Sequence, residues 1–157
     1  WARDPARQTA ARQRGEAAKA ALQSLPEVTV PTLARVPDLD GALSQDEWRD
    51  AVVLPAFVGM DGTRGLTQRT LCRLGQTEQG LFVAFECYDQ DVASVSRTVT
   101  ARDGAVWTDD CVEVFLDPSA GRGEYLHFAV NAAGAQYDDR LRCGSVFEPD
   151  RWTFPAL

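Results

Sequence analysis

Two neighbouring segments of the chain alternate between apolar and polar side chains with a period of two. The first runs from Cys111 to Leu116 and the second from Tyr125 to Asn131. Successive side chains of a strand point to opposite faces, so each segment is predicted to be a β-strand with one aliphatic face. The residues between them, Pro118–Gly123, are rich in turn formers. The pattern therefore predicts an antiparallel hairpin.

Matching the faces of the two strands fixes the expected register, with Val114 opposite Phe128. The aliphatic face is expected to point into a core and consists of Val112, Val114, Leu116, Leu126, Phe128 and Val130. The other face forms a sheet surface with Trp107 at its rim and consists of Cys111, Glu113, Phe115, His127, Ala129 and Asn131. In this register Glu113 faces Ala129, and Cys111 faces Asn131.

Further short strands are predicted on both sides of a glycine-bounded turn at Gly75–Gly80 and near the C-terminus. They cover Val52–Val58, Gln68–Leu74, Leu81–Tyr88 and, more weakly, Gln136–Leu141. Many short strands at hairpin spacing with little helix between them favour an all-β fold, an antiparallel, jelly-roll-like β-sandwich.

The N-terminal 26 residues have a different character. Asp4 and Pro5 resemble an N-cap and first helical position, which predicts an alanine- and arginine-rich helix that ends near Leu25. Residues 1–26 are therefore interpreted as a helical linker or the tail of an upstream domain, and residues 27–157 as the sandwich. Ser44 and Glu47 have the spacing of a capping box for one helical turn, with Trp48 as a core residue.

Composition excludes several classes of function. The 157 residues carry a net charge of −7, which argues against a nucleic-acid groove. No apolar run approaches the roughly 20 residues of a membrane span. The chain begins at Trp1 without methionine and ends in an apolar stretch, so we expect a piece of a longer protein, incomplete at its C-terminus. The absence of a signal peptide is then uninformative.

The cysteines indicate neither a metal site nor an activated nucleophile. Cys72, Cys87, Cys111 and Cys143 include no CxxC pair and no zinc-ligand spacing. Free thiols are the simpler interpretation, although the sequence leaves disulfide pairing open.

Four ordered blocks resemble a known family. They are Leu39–Leu43 with Trp48, Gly80–Glu86 with Asp89 and Asp91, Trp107–Pro118, and Phe128–Asn131. Over residues 28 to 157 the chain resembles a family 9 carbohydrate-binding module. The resemblance implies a noncatalytic antiparallel sandwich, appended to a glycan-active enzyme, extracellular or periplasmic, with structural calcium. Its partners would be a glycan or oligosaccharide and the parent enzyme domains in cis.

The resemblance also implies a binding site. Trp107 matches the first of two tryptophans that grip a sugar, while Glu113 and Asn131 match residues that bind its hydroxyl groups. An aromatic ring covers the apolar face of a pyranose, and polar groups satisfy its hydroxyls. The family's arginine is replaced by Ala129, and its second tryptophan has no evident counterpart. His127 is a candidate substitute donor, and Asp89 and Asp91 are candidate calcium ligands.

Two other functions stay open at the level of sequence. One is a structural sandwich without a ligand that mediates domain packing, which the replacement by Ala129 supports. The other is a haem-binding redox module with Met60 and His127 as ligands, although no CxxCH motif is present. No catalytic residues are predicted, because a glycosidase needs two carboxyl groups that face each other, and Asp110 and Glu113 are expected on opposite faces.

Overall fold

The computed structural model describes residues 9, 27–54, 57, 68–121 and 123–142. Apart from residue 9, these residues form one short α-helix, α1 (Gln45–Trp48), and two 3-10 helices (Val92–Ser94 and Val106–Thr108). They also form six strands: β1 (Val52–Leu54), β2 (Thr70–Thr77), β3 (Gly80–Cys87), β4 (Cys111–Leu116), β5 (Glu124–Asn131) and β6 (Gln136–Arg142). The strands form two three-stranded antiparallel sheets, with orders β1-β2-β3 and β4-β5-β6. The predicted all-β class is confirmed. The predicted N-terminal helix, apart from residue 9, lies outside the described residues.

The first sheet is built around the β2–β3 hairpin, whose turn is tighter than predicted. Thr77 pairs with Gly80, so only two residues connect the strands, and Gly75 lies inside β2. Gly80 has a φ of +144°, which favours glycine. At Gly75 a Cβ atom would lie 2.4 Å from Cδ2 of the buried Leu33. This glycine is thus needed for close packing and does not mark a turn.

Helix α1 places Trp48 in the interior, as predicted. The predicted capping box is wrong in detail, because the Ser44 side chain caps no backbone amide. Its hydroxyl instead donates a hydrogen bond to the Glu47 carboxylate, which also binds the Arg35 guanidinium at 3.0 Å. Glu47 is therefore buried with two side-chain donors, and the helical turn is held by this cluster.

The second sheet has the predicted register. Val114 lies opposite Phe128, and the pairs Glu113–Ala129 and Cys111–Asn131 are also present. Strand β6 then extends the sheet beside β5, with Tyr137 next to Ala129.

The predicted division of this sheet into a core face and a surface face is wrong for β5. Val130 on the aliphatic face is 36% exposed, whereas His127, Ala129 and Asn131 on the other face are buried. The reason is that residues 96–109 fold across that face. Val106 from this segment is fully buried, and it forms a core cluster with Ala129, Ala135 and Tyr137. The other five residues of that face, Phe128 among them, are partly buried.

Candidate functional site

A short 3-10 helix at Val106–Thr108 presents Trp107 on the second sheet. The buried Val106 anchors it, and the Thr108 amide and hydroxyl both donate to the Ala105 carbonyl, at 3.0 and 2.8 Å. Trp107 itself is 49% exposed. Its ring meets the Tyr137 ring edge to face, with centroids 5.1 Å apart. The predicted position of Trp107 at the rim of the sheet therefore agrees with the structure.

Glu113 lies on β4 with its side chain one-third exposed, at 34%. Its Oε2 atom is 2.7 Å from His127 Nε2 across the hairpin. Its Oε1 atom accepts a hydrogen bond from the Cys111 thiol at 4.0 Å, and a thiol is a weak donor. One carboxylate oxygen is thus fixed by the protein, while the other keeps acceptor capacity.

His127 is buried, in contrast to the predicted surface donor. The Phe115 ring stacks on the imidazole at 4.2 Å with planes 11° apart, and Tyr137 meets it from another side at 5.4 Å. Its Nε2 atom is occupied by Glu113. The geometry favours a role in orienting the carboxylate over direct contact with a ligand.

Asn131 is 5% exposed, and both ends of its amide are engaged. Nδ2 donates to the Val99 carbonyl and to Asp109 Oδ2, each at 2.8 Å. Oδ1 accepts the amides of Ala133 and Ala135. All the hydrogen-bonding capacity of the side chain is used within the protein. Asn131 therefore has no hydrogen-bonding atom left for a sugar, in contrast to Glu113.

Asp109 is the centre of this buried network. Its Oδ1 accepts the hydroxyls of Ser96 and Thr98, and its Oδ2 accepts the Val99 amide and the Asn131 amide, all at 2.8 Å. These donors, the Val99 backbone amide foremost, hold the pKa of the Asp109 carboxyl well below its usual range. The carboxylate ties the segment before Trp107 to β5.

Two aromatic residues complete this face: Phe115, which the sequence placed here without a role in the site, and Tyr137, which sequence reasoning missed. Phe115 is 58% exposed on β4, and Tyr137 is buried beneath Trp107 on β6. The Tyr137 hydroxyl donates to Asp139 at 3.0 Å, and burial, together with this hydrogen bond, raises the pKa of Tyr137 to about 12. The same period-two alternation that placed Phe115 on the face of Glu113 would have found Tyr137 if it had been extended to the last strand.

Asp110 and Asp117 accept hydrogen bonds from serine residues. Asp110 Oδ2 accepts the Ser96 amide at 2.7 Å, and Asp117 Oδ1 accepts the Ser119 amide and hydroxyl.

The predicted calcium ligands are exposed and adjacent to each other. Asp89 Oδ1 accepts a hydrogen bond from the Asp91 backbone amide at 2.7 Å, so the carboxylate stabilises a local turn. Calcium takes six to eight oxygen ligands, and two carboxylates supply only part of such a set. In the described part of the chain no group of three or more His, Cys, Asp and Glu side chains is placed to hold a metal. Calcium at Asp89 and Asp91 stays a prediction.

Three cysteines, Cys72, Cys87 and Cys111, are free, and Cys143 lies outside the described residues. Burial, and then the charge of Glu113, raise the pKa of the Cys111 thiol, which disfavours the reactive thiolate. Of the predicted haem ligands, Met60 also lies outside the described residues, and His127 Nε2 is held by Glu113.

Among the residues that the structure describes, no helix is long and apolar enough to cross a membrane. A family model described as carbohydrate-binding family 9 matches residues 65–143, just over half of the chain. This range contains β2 to β6 and the whole face that carries Trp107 and Glu113. Comparison with curated proteins and with solved structures gives no match. The chain belongs to carbohydrate-binding family 9.

Proposed function

We propose that this domain is a noncatalytic glycan-binding module and that Trp107 and Glu113 contact the sugar. One observation carries the proposal: an exposed indole and a half-satisfied carboxylate lie on the same face of one sheet. The indole offers an apolar surface for the C–H face of a pyranose. Oε1 of Glu113 is available to accept a hydrogen bond from a hydroxyl group.

His127 and Asn131 have supporting roles in this proposal. His127 holds Oε2 of Glu113, so the carboxylate is oriented before a ligand arrives. Asn131 binds Asp109, which follows Trp107 by two residues, and so fixes the turn that presents the indole. A site that is already ordered loses less conformational entropy on binding.

Binding is expected to be weak. Where the family resemblance implies an arginine, Ala129 is buried against Val106 and Tyr137 and offers no donor. A hydrogen bond to a charged group contributes about 1.5–3 kcal/mol, or roughly one to two decades of affinity. The proposed site lacks this contribution, and Asn131 does not replace it.

We also propose, on the basis of the family resemblance, that the domain targets a larger exported, glycan-active protein to polysaccharide. Calcium at Asp89 and Asp91 is part of this proposal. It would act on stability rather than on the sugar, since the two carboxylates follow β3 in the first sheet, and the Trp107 face belongs to the second sheet. The test is the thermal midpoint with calcium and with a chelator: a rise in calcium that Asp89→Asn removes supports the site.

The function itself is tested by calorimetric titration with glucose, cellobiose, xylobiose and galactose in calcium-containing buffer. The variants are Trp107→Ala and, as a matched control, Tyr88→Ala, which removes an exposed aromatic residue directly after β3 of the other sheet. Binding that is lost in the first variant and kept in the second supports the proposal. Binding that survives in both would contradict the assignment to Trp107.

A structural module without a ligand is the second candidate, and two observations favour it. The arginine position is filled by the buried Ala129, and the Asn131 amide is saturated. This candidate predicts no heat with any of the four sugars at millimolar concentration. It also predicts that Trp107→Ala lowers the thermal midpoint, because the indole would then serve only packing.

A further inference from the structure

Phe115 presents an open ring face at the edge of the second sheet. One face of its ring is covered by the stacked His127 imidazole at 4.2 Å. Since the side chain is nevertheless 58% exposed, the exposed area belongs to its other face and its rim. Strand β4 is an edge strand in the sheet as described, so this open face is directed away from β5. The Tyr125 ring, 5.9 Å away, supports it from the same face of the neighbouring strand.

Trp107 and Phe115 lie on opposite sides of the Glu113–His127 pair. A continuous row of ring contacts joins them: Trp107 to Tyr137 at 5.1 Å, Tyr137 to His127 at 5.4 Å, and His127 to Phe115 at 4.2 Å. The row crosses the sheet from β6 to β4, a distance of about 10 Å at the usual strand spacing. The two exposed rings are thus not neighbours in this row, because the rings of Tyr137 and His127 lie between them.

We propose that Phe115 forms a second aromatic subsite, so that the ligand is an oligosaccharide of two or more sugar units. The inference rests on the proposed glycan-binding function of the same face. One sugar unit lies on Trp107, the next lies on the open face of Phe115, and Glu113 accepts a hydroxyl hydrogen bond between them. The alternation of apolar faces and a polar acceptor matches the alternation of C–H faces and hydroxyls along a sugar chain.

The consequence is measurable as a preference for longer ligands. A single sugar unit uses one subsite, while a disaccharide uses both, so the affinity should rise from the first to the second. Stacking on one aromatic ring accounts for roughly a two- to tenfold gain. Removal of the Phe115 ring should cancel this gain, so that the affinity for the disaccharide falls by about this factor more than the affinity for the monosaccharide does.

The experiment compares glucose, cellobiose and cellotriose by calorimetric titration, followed by the xylose and galactose series if the glucose series gives no heat. The variants are Phe115→Ala, Phe115→Tyr, which keeps the ring, and Trp107→Ala. We expect the preference for the disaccharide to disappear in Phe115→Ala and to persist in Phe115→Tyr. Trp107→Ala should abolish binding of every length.

Other outcomes decide against the second subsite in different ways. If the unmodified protein binds the monosaccharide and the disaccharide with equal affinity, the second subsite is refuted while the glycan-binding function stands. The second subsite is also refuted if the preference for the disaccharide persists in Phe115→Ala. If Phe115→Ala weakens monosaccharide binding equally, Phe115 acts only by supporting His127 and Glu113. No binding by the unmodified protein to any series overturns both the function and the subsite.

Discussion

The side-chain amide of Asn131 donates a hydrogen bond to Oδ2 of Asp109 at 2.8 Å, which joins strand β5 to the turn that carries Trp107. The two residues are 22 positions apart in the sequence and both are buried. The family resemblance implies that the Asn131 amide binds the sugar. In this structure the amide instead fixes the turn that carries Trp107.

Asn131→Ala is expected to destabilise the domain by about 1–3 kcal/mol, because it removes four hydrogen bonds of a buried amide and leaves their partners, some of them buried, unsatisfied. Those partners are the Val99 carbonyl, one oxygen of Asp109, and two backbone amides of the β5–β6 turn. Urea unfolding measures the loss. Gln76→Ala is the control, since it removes an exposed amide with a single hydrogen bond to Val30. Equal stability of the two variants would contradict a structural role for Asn131.

The acid stability of the domain should depend on Asp109. Its pKa is lowered in the folded state, so its ionised form adds stability above the unfolded-state pKa of about 3.9. This stability is lost as the pH falls below that value. Asp109→Asn should lower the thermal midpoint at neutral pH and reduce the difference between neutral pH and pH 2. The exposed Asp40→Asn is the control, and a parallel acid decline in the Asp109 variant would refute the assignment.

Glu113→Gln is expected to weaken sugar binding by roughly one to two decades with little change in thermal midpoint, because a charged acceptor becomes neutral on a partly exposed side chain. His127→Phe keeps a ring against Phe115 but removes the atom that holds Oε2. We expect a smaller loss of affinity for this variant. Calorimetric titration of both measures the effect, and unchanged affinity in Glu113→Gln would remove this residue from the site.

Ala129→Arg should destabilise the domain and should not improve sugar binding. The position is enclosed by Val106, Ala135 and Tyr137, so a long charged side chain would overfill the cluster, at about 1–3 kcal/mol for overpacking alone. Ala132→Arg adds the same charge at an exposed position and serves as the control. Unfolding and titration are measured on both variants. Tighter binding by Ala129→Arg at unchanged stability would show that the cluster opens and that the site can accept the arginine.

The hairpin could be predicted from the sequence because its alternation has a single consistent register. Slipping the register by one residue would reverse every side chain, and the structure has Val114 opposite Phe128 as expected. The prediction that a turn begins at Gly75 was wrong because of a contact between distant parts of the chain. A glycine that looks like a chain reversal is in fact required by the side chain of Leu33 from a distant segment.

The burial of the site residues could not be read from the same alternation. Period two shows which side chains share a face, but not what folds over that face. The cover here comes from residues 96–109, whose path depends on the hydrogen bonds of Asp109 and on the burial of Val106. All four site residues were predicted to be accessible. The structure agrees for Trp107 and Glu113, whereas His127 and Asn131 are buried.

The four donors around the Asp109 carboxylate come from two separate parts of the chain. Ser96, Thr98 and Val99 precede it, and Asn131 follows it at the end of β5. Neither part can detach without leaving a buried charge short of hydrogen bonds, so the two should open together as one cooperative unit. Hydrogen exchange at the Val99 and Ala135 amides would then be slow and would report the same opening of this network. In any one molecule the turn that carries Trp107 would be either fully formed or fully open.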